Sequence, residues 1–472
     1  MSDLVVIMLY LVTSVIVGYF AGKNVKKPKD FIITDGNFTT FTMVALMFPM
    51  MVGCGDLFGR TYRVCQVGII FLISNLGLSI QALCFTFITK AIRNFKQALF
   101  PGDIMKTMYG ENGQKIFGIC TCIRSFGDTM VQFVAIGYIC NILFGINSVV
   151  YILMICFVVT FYCSWGGIKA LASTNIFQLL IFVIAFPIVS SIVLYESGGL
   201  KNIINHVPPG HLRIWDHPDF IKYILIFFSN ALPTDVGVMH RIMMAKSIPQ
   251  ANSVLKISAL LYVPIVIFLA LLGSCSLTVS ENVPQYGVFS QLLNITLPFG
   301  FRGIAAAGMI AVSMSAAGTN LNVLAFSFTR DVIKPFFRLS SLQDKTELLI
   351  MKIVTAVFGI VASFSSLVFI DVADYSEFFD NAFPIIVFPS LFLGLMNFLF
   401  SKKIFLIGVV FSSCAFLAII IFIHFSNESL LLFCTFMLVV LNASIMYFMH
   451  KYEHRKRKFT TSSYHPTNSG TS

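Results

Sequence analysis

The sequence predicts an all-α polytopic membrane protein of about thirteen transmembrane helices, and three observations carry that reading. The first is composition: of 472 residues, 57% are hydrophobic and 11% charged, with a mean hydropathy of +0.86. A soluble domain carries about 25% charged residues, so this chain cannot cover itself with polar groups in water. The second is pattern. The apolar runs are long and unbroken rather than alternating, and backbone amides in hydrocarbon must be satisfied internally, which selects helices over strands. The third is charge: the net charge of +11 is concentrated in every second connection between the runs.

At about 20 residues per crossing, the spans fall near 3–21, 38–62, 67–90, 115–144, 148–165, 173–195, 219–240, 253–278, 300–329, 348–370, 376–399, 403–424 and 428–450. Lys26 and Lys27, then Arg93 and Lys96, Lys169, Arg241 and Lys246, Arg330 and Lys334, Lys402 and Lys403, and the cluster Arg455 to Lys458 all fall on one side. The positive-inside rule makes that side cytoplasmic, with the N-terminus outside and the C-terminus inside. This distribution also argues against a nucleic-acid partner. Met1-Ser2-Asp3 lacks the basic start of a cleavable signal. The eleven Cys are irregularly spaced within or beside the apolar runs, which suits packing residues rather than a metal site.

No soluble domain is expected. The chain divides into an extra N-terminal helix and cytoplasmic loop over 1–37, a first five-helix repeat over 38–200, and an outer loop with a second repeat over 201–400. Two C-terminal helices (401–458) and a Ser/Thr-rich disordered cytoplasmic tail (459–472) follow. The division rests on two segments that break the helical rule at membrane depth. In the second span Pro49 is followed by Gly53, Gly55, Asp56 and Gly59; in the seventh, Asn230 is followed by Pro233, Thr234, Asp235 and Gly237. Irregular backbone survives in the membrane only where it is buried in protein or lines a cavity. Matched interruptions in two halves mark the ligand site of an inverted-repeat carrier, although Gly and Pro are common in membrane helices without a role.

An ionised Asp at mid-membrane costs about 2.5–3.5 kcal/mol, so Asp56 and Asp235 each need a partner or a ligand. Arg60, four residues after Asp56, offers a purely structural pairing; lining a substrate or cation pathway is the other reading. Arg124, Asp128 and Gln132 recur at helical spacing and share one face. Arg124–Asp128 reads as a structural pair, and Gln132 as a cavity-facing amide. Asn230 and Thr234 belong to the second break and join the substrate-binding candidates. In the ninth span Ser315 and Thr319 put two hydroxyls on a face of small residues. They suit a hard monovalent cation, or they simply bond their own backbone.

Several stretches resemble the sodium/solute symporter family. The run Tyr162 to Gln178, YCSWGGIKALASTNIFQ, is similar to that family's Gly-Gly-Leu-Lys-Ala-Val-x-x-Thr-Asp-x-x-Gln pattern. Asp30-Phe31 to Gly36, Phe100-Pro101-Gly102-Asp103 with Tyr109-Gly110, Pro233 to Ser247 including His240-Arg241, and Ala306 to Asp331 follow in the family's order over roughly 30–400. The resemblance implies a LeuT-type fold of 5+5 inverted repeats with broken first and sixth core helices. It also implies a sodium ion held by hydroxyls at Ser315 and its neighbour, and by the carbonyls of Pro49 and Val52. Three positions depart from the pattern: the second hydroxyl falls on Ala316, the Thr-Asp acid is Asn175, and the acid of the proline-carrier branch is Met51. Coupling by sodium and coupling by protons both stay open.

The expectation is a secondary active transporter: cation-coupled symport of a small cationic or zwitterionic solute, such as an amino acid or quaternary amine, by alternating access. Its partners would be that solute and the lipid bilayer, with no nucleic acid and no obligate protein partner. No cofactor is expected beyond a sodium ion as coupling ion. The alternative is a transport-silent sensor or regulator derived from a carrier. An enzyme is disfavoured, since no nucleophile motif or metal-ligand spacing accompanies the scattered His.

Overall fold

The structure, a computed structural model, describes residues 2–33, 38–144, 148–279, 292, 295–298, 301–339, 343–368, 383–423 and 428–462, with side chains except at 2, 54–56, 141–144, 148, 279, 420–423, 428–432 and 454–462. Residues 34–37 of the motif that begins at Asp30, residues 376–382 of the eleventh expected span, and residues 463–472 of the expected tail lie outside the described residues. Every described element is helical. Among the described residues nine helices are long and apolar enough to cross a membrane, and Thr40–Met50 and Phe220–Asn230 are shorter apolar ones. Three things separate this from the expected thirteen: two expected spans are broken into short pieces, two others form one element with a sharp internal turn, and the eleventh, 376–399, is described only in part.

In chain order, α1 (Ser2–Gly22) and the short α2 (Pro28–Ile32) precede the first broken helix, made of α3 (Thr40–Met47), a 3-10 turn (Phe48–Met50) and α4 (Cys54–Val67). Then come α5 (Phe71–Arg93), α6 (Pro101–Tyr109), α7 (Glu111–Phe144) and α8 (Ser148–Glu196). After α9 (Gly199–His206), the second broken helix comprises α10 (Phe220–Asn230) and α11 (Val236–Met244). The rest are α12 (Ile248–Val279), α13 (Phe301–Ser327), α14 (Lys334–Phe336), α15 (Asp344–Val368), α16 (Phe388–Leu395), α17 (Lys402–Ile423) and α18 (Glu428–Ser462). A π-helical segment, Phe328–Ile333, joins α13 to α14.

α8 covers the two spans expected at 148–165 and 173–195, and Gly167 separates them with φ 52° and ψ −135°. On a straight helix the Cα atoms of residues 162 and 178 would be about 24 Å apart. Yet Tyr162 Oη donates to the Met314 carbonyl at 3.0 Å, Gln178 Nε2 donates to Tyr10 Oη at 3.2 Å, and Tyr10 Oη meets Met314 Sδ at 3.4 Å. Both arms therefore reach the same level of α13, and the chain folds back at Gly167. A Cβ there would strike the Phe31 ring, so glycine is required twice, by dihedral angle and by space.

α13 is the central pillar. Of its apolar window 89% is buried, against 22–39% for the peripheral spans α1, α5, α15, α17 and α18. Lipid tails are as apolar as leucine, so helices in a bilayer are held by close packing rather than by water exclusion. The run Ala305-Ala306-Ala307-Gly308 and Ala316-Ala317-Gly318 supplies that closeness to α7, α8, α1 and α15.

Candidate functional site

Each broken helix is interrupted for a local reason. In the first, Thr39 caps α3 by accepting from Thr42 N at 3.2 Å. Pro49 then removes a backbone donor, the Phe48 carbonyl accepts from both Met51 N and Val52 N, and Gly53 is extended at φ −110°, ψ 153°. In the second, Pro233 and the turn bond from Thr234 N to the Leu232 carbonyl (2.8 Å) end α10, and Asp235 starts α11. The two breaks meet: Met50 lies so close to Gly237 that a Cβ on Gly237 would collide with the Met50 thioether.

A helix break exposes unpaired carbonyls and amides, and neighbouring side chains satisfy them at the second one. Gln81 Nε2, from α5, donates to the Leu232 carbonyl at 2.6 Å. Arg124 Nη1, from α7, donates to the Thr234 carbonyl at 3.4 Å. Asp235 caps α11, its Oδ1 accepting from Val238 N at 2.8 Å, while Oδ2 receives Arg124 Nη2 at 3.3 Å. The Arg124 Nε also lies 3.9 Å from Asp128 Oδ2. One guanidinium thus sits between two carboxylates at the mouth of the break, and all three side chains keep 15–20% of their surface accessible.

The structure does not treat all sequence candidates alike. Asp235 and Thr234 lie at the break, with Arg124 and Asp128 added to them. Gln132 is buried further along the same α7. Asn230 donates to the Ser74 carbonyl of α5 at 3.1 Å. Its amide therefore buttresses the break. The Asp56 backbone lies in the first turn of α4, and its side chain is outside the described residues. Arg60, the structural partner considered for it, donates to the Tyr262 hydroxyl of α12.

Ser315 and Thr319 are buried on α13, which packs against the 3-10 turn that contains Pro49. Val52 follows that turn and is fully buried. Asn175 Nδ2, from the second arm of α8, approaches Thr319 Oγ1 at 3.5 Å, and its Oδ1 has no partner among the described residues. The element that carries these hydroxyls therefore packs against the irregular backbone of the first break. Among the described residues no group of His, Cys, Asp and Glu could hold a multivalent metal.

Sequence reasoning missed Gln81, and it read Arg124 only as the partner of Asp128. Each is a polar residue in the middle of a predominantly apolar helix, which was the available signal. Which break it serves is a tertiary fact. Outside the membrane, Lys169 just after the α8 turn pairs with Asp30 of α2 at 2.9 Å. Partial burial pushes the Asp30 carboxyl up, but the Lys169 hydrogen bond and charge, with the Lys26 and Lys27 amides, outweigh it and hold the group below its ordinary value.

Comparison with known proteins gives one consistent result. The profile of the sodium:solute symporter family matches residues 31–410. The sodium-coupled monocarboxylate transporter 1 of Xenopus laevis is 22% identical over 76% of this chain and 61% of its own length. The high-affinity choline transporter 1 of Drosophila melanogaster is 22% identical over 83% of this chain and 66% of its own. The chain therefore spans less than two thirds of either relative. A substrate-bound, outward-open Na+-coupled sialic acid symporter superposes with a TM-score of 0.80 at 17% identity, covering 94% of this chain and 97% of that one. The likeness establishes the LeuT-type fold that the family resemblance implied, and the family match with the long apolar helices makes the chain an integral multi-pass membrane protein.

Proposed function

We propose, from the premise that this chain belongs to the sodium:solute symporter family, that it is a secondary active carrier coupling a cation gradient to the uptake of a small zwitterionic or cationic organic solute. The single observation that carries this reading is the Arg124–Asp235 pair at the second break, beside the contact of Met50 with Gly237. A positive and a negative group at one partly open point suit a solute bearing both charges. Its ammonium would compete for Asp235, and its carboxylate for Arg124. Asp56, Thr234 and Gln132 are proposed to complete the substrate site. Asn230 is proposed to hold the break in shape.

For the coupling ion we favour sodium, with Ser315 and the Pro49 and Val52 carbonyls as principal ligands and Thr319 beside them. Ala316 contributes no side-chain oxygen, so fewer hydroxyls serve the ion than the family pattern supplies. One charge moved through 100 mV supplies about 2.3 kcal/mol, enough to concentrate a solute about fiftyfold. By alternating access, the half-helices α4 and α11 would shift against the frame of α7, α8 and α13 and open the site to each side in turn.

The test is counter-flow in proteoliposomes with labelled amino acids, betaine, choline and sugars, each with and without sodium. The expected result is sodium-dependent exchange of a zwitterion or a quaternary amine. Exchange confined to neutral sugars would overturn the assignment of charge recognition to Asp235 and Arg124. Wild-type uptake by Asp56→Asn would remove Asp56 from the site.

A further inference from the structure

We propose that Arg241 and His240 of α11 form a binding site for a small planar oxyanion of the formate or bicarbonate class, apart from the Arg124–Asp235 pair. Arg241 is the largest fully buried side chain among the described residues, and His240 beside it is also fully buried. Arg241 Nη1 lies 3.0 Å from His240 Nδ1. A guanidinium has no acceptor, so Nδ1 accepts and the imidazole proton sits on Nε2. Three groups are left without a partner among the described residues: Nε and Nη2 of Arg241, and Nε2 of His240. All three are donors.

A cluster that offers only donors, one of them permanently charged, calls for an anion. A buried charge without a hydrogen-bonded counter-charge is among the costliest arrangements in a protein. The acid whose field reaches Arg241 is Asp235, but its two oxygens are already engaged by Val238 N and Arg124. Nor do the carbonyls at the end of α11 serve, because Arg93 of α5 takes those of Ile242 and Met243 at 3.3 Å. That second guanidinium adds positive charge nearby. The free pair Nε and Nη2 is the side-on fork of the guanidinium, whose two parallel N–H groups match a planar oxyanion in bidentate fashion. Phe100 and Phe326 flank the imidazole edge-on at 5.1 and 5.5 Å. These rings border the imidazole with apolar surface, so a ligand there would have to be small. Because neither side chain reaches the surface, exchange requires α11 to move, and it should be slow.

The inference concerns binding by the purified chain and stands independently of the transport reading. Thermal unfolding of the full chain in detergent would be followed in sodium formate, acetate, chloride and methanesulfonate at matched ionic strength. Formate is expected to raise the midpoint by about 2–4 °C over methanesulfonate at saturation. Arg241→Lys keeps the charge and removes the fork, and should weaken the apparent formate affinity about tenfold or more. Arg124→Lys should retain it. Equal midpoints in all four anions, or a formate effect that survives Arg241→Lys and is lost in Arg124→Lys, would overturn the proposal. A larger effect of chloride than of formate would also overturn the planar class. Should Arg241→Lys not fold, wild-type protein loaded with labelled formate and passed through a desalting column decides. Retained label supports the site, and its complete loss within the passage overturns it. Labelled formate taken up by proteoliposomes in counter-flow would identify the anion as a transported solute, and retention without uptake as a resident co-ligand.

Discussion

Arg124 Nη2 lies 3.3 Å from Asp235 Oδ2, so α7 is tied to the first residue of the second half-helix by one charged contact. The same guanidinium reaches the Thr234 carbonyl and stands 3.9 Å from Asp128. With most of each side chain covered, removing one partner strands the other in a poorly solvated place. Arg124→Gln is expected to cost roughly 1–3 kcal/mol in stability and to lower uptake about tenfold or more. Thermal unfolding and initial-rate uptake on the same preparation check both numbers.

Asp235 has two tasks that substitution separates. Asp235→Asn keeps a capping oxygen for Val238 N and loses the charge, so stability should stay within about 1 kcal/mol of wild type while uptake of a cationic or zwitterionic solute falls. Asp235→Ala loses both and should destabilise by about 1 kcal/mol more than the Asn variant. Equal stability of the two variants would show that the cap contributes nothing.

Gly167→Ala should be poorly tolerated. The positive φ alone costs an L-residue about 1 kcal/mol or more, and the added Cβ strikes the Phe31 ring and the Phe31 carbonyl. Gly210 serves as the control, because its added Cβ meets open space. The expected outcome is a severe loss of folded yield for Gly167→Ala and near-normal yield for Gly210→Ala, read by fluorescence size-exclusion chromatography.

The Asp30–Lys169 pair gives a defined pH dependence. The Asp30 carboxyl is held below its ordinary 3.8 in the folded protein, so the pair stabilises fully above that value. Its contribution is lost as pH falls from there through the lower folded value. The gap in unfolding midpoint between wild type and Asp30→Asn should be constant well above the ordinary carboxylate value and close as pH falls below it. A gap that widens on acidification would show that the carboxylate is not stabilised by Lys169.

Ser315→Ala is expected to raise the sodium concentration for half-maximal uptake about tenfold, and Thr319→Ala by less, because Asn175 already engages the Thr319 hydroxyl at 3.5 Å. Uptake titrated against sodium at fixed ionic strength measures both.

Much of the fold was legible because the bilayer permits few solutions. Unbroken apolar runs had to be helices, and Pro49 and Pro233 with their glycines had to interrupt them. The turn at Gly166-Gly167 was readable from two small residues followed by Lys169. The side-chain roles were less legible. Asn230 stands out in the sequence because it precedes a break, but its bond to the Ser74 carbonyl on another helix appears only in the fold. Gln81 and Arg124 carry no local sign of the break they complete, since the carbonyls they satisfy lie about 110–150 residues away in sequence. The donors of Arg241 and His240 were equally invisible, because being unpartnered is a property of surroundings and not of spacing.

The seating of Met50 over Gly237 bears on how force passes through the molecule. Two rods that touch through one unbranched thioether and one bare α-carbon form a bearing: smooth, deformable, free of directional bonds. Rotation of either rod can slide across it at little enthalpic cost, whereas a branched or polar residue at Gly237 would turn the bearing into a lock. In the proposed carrier cycle, motion at one break would reach the other partly through the shape of this joint.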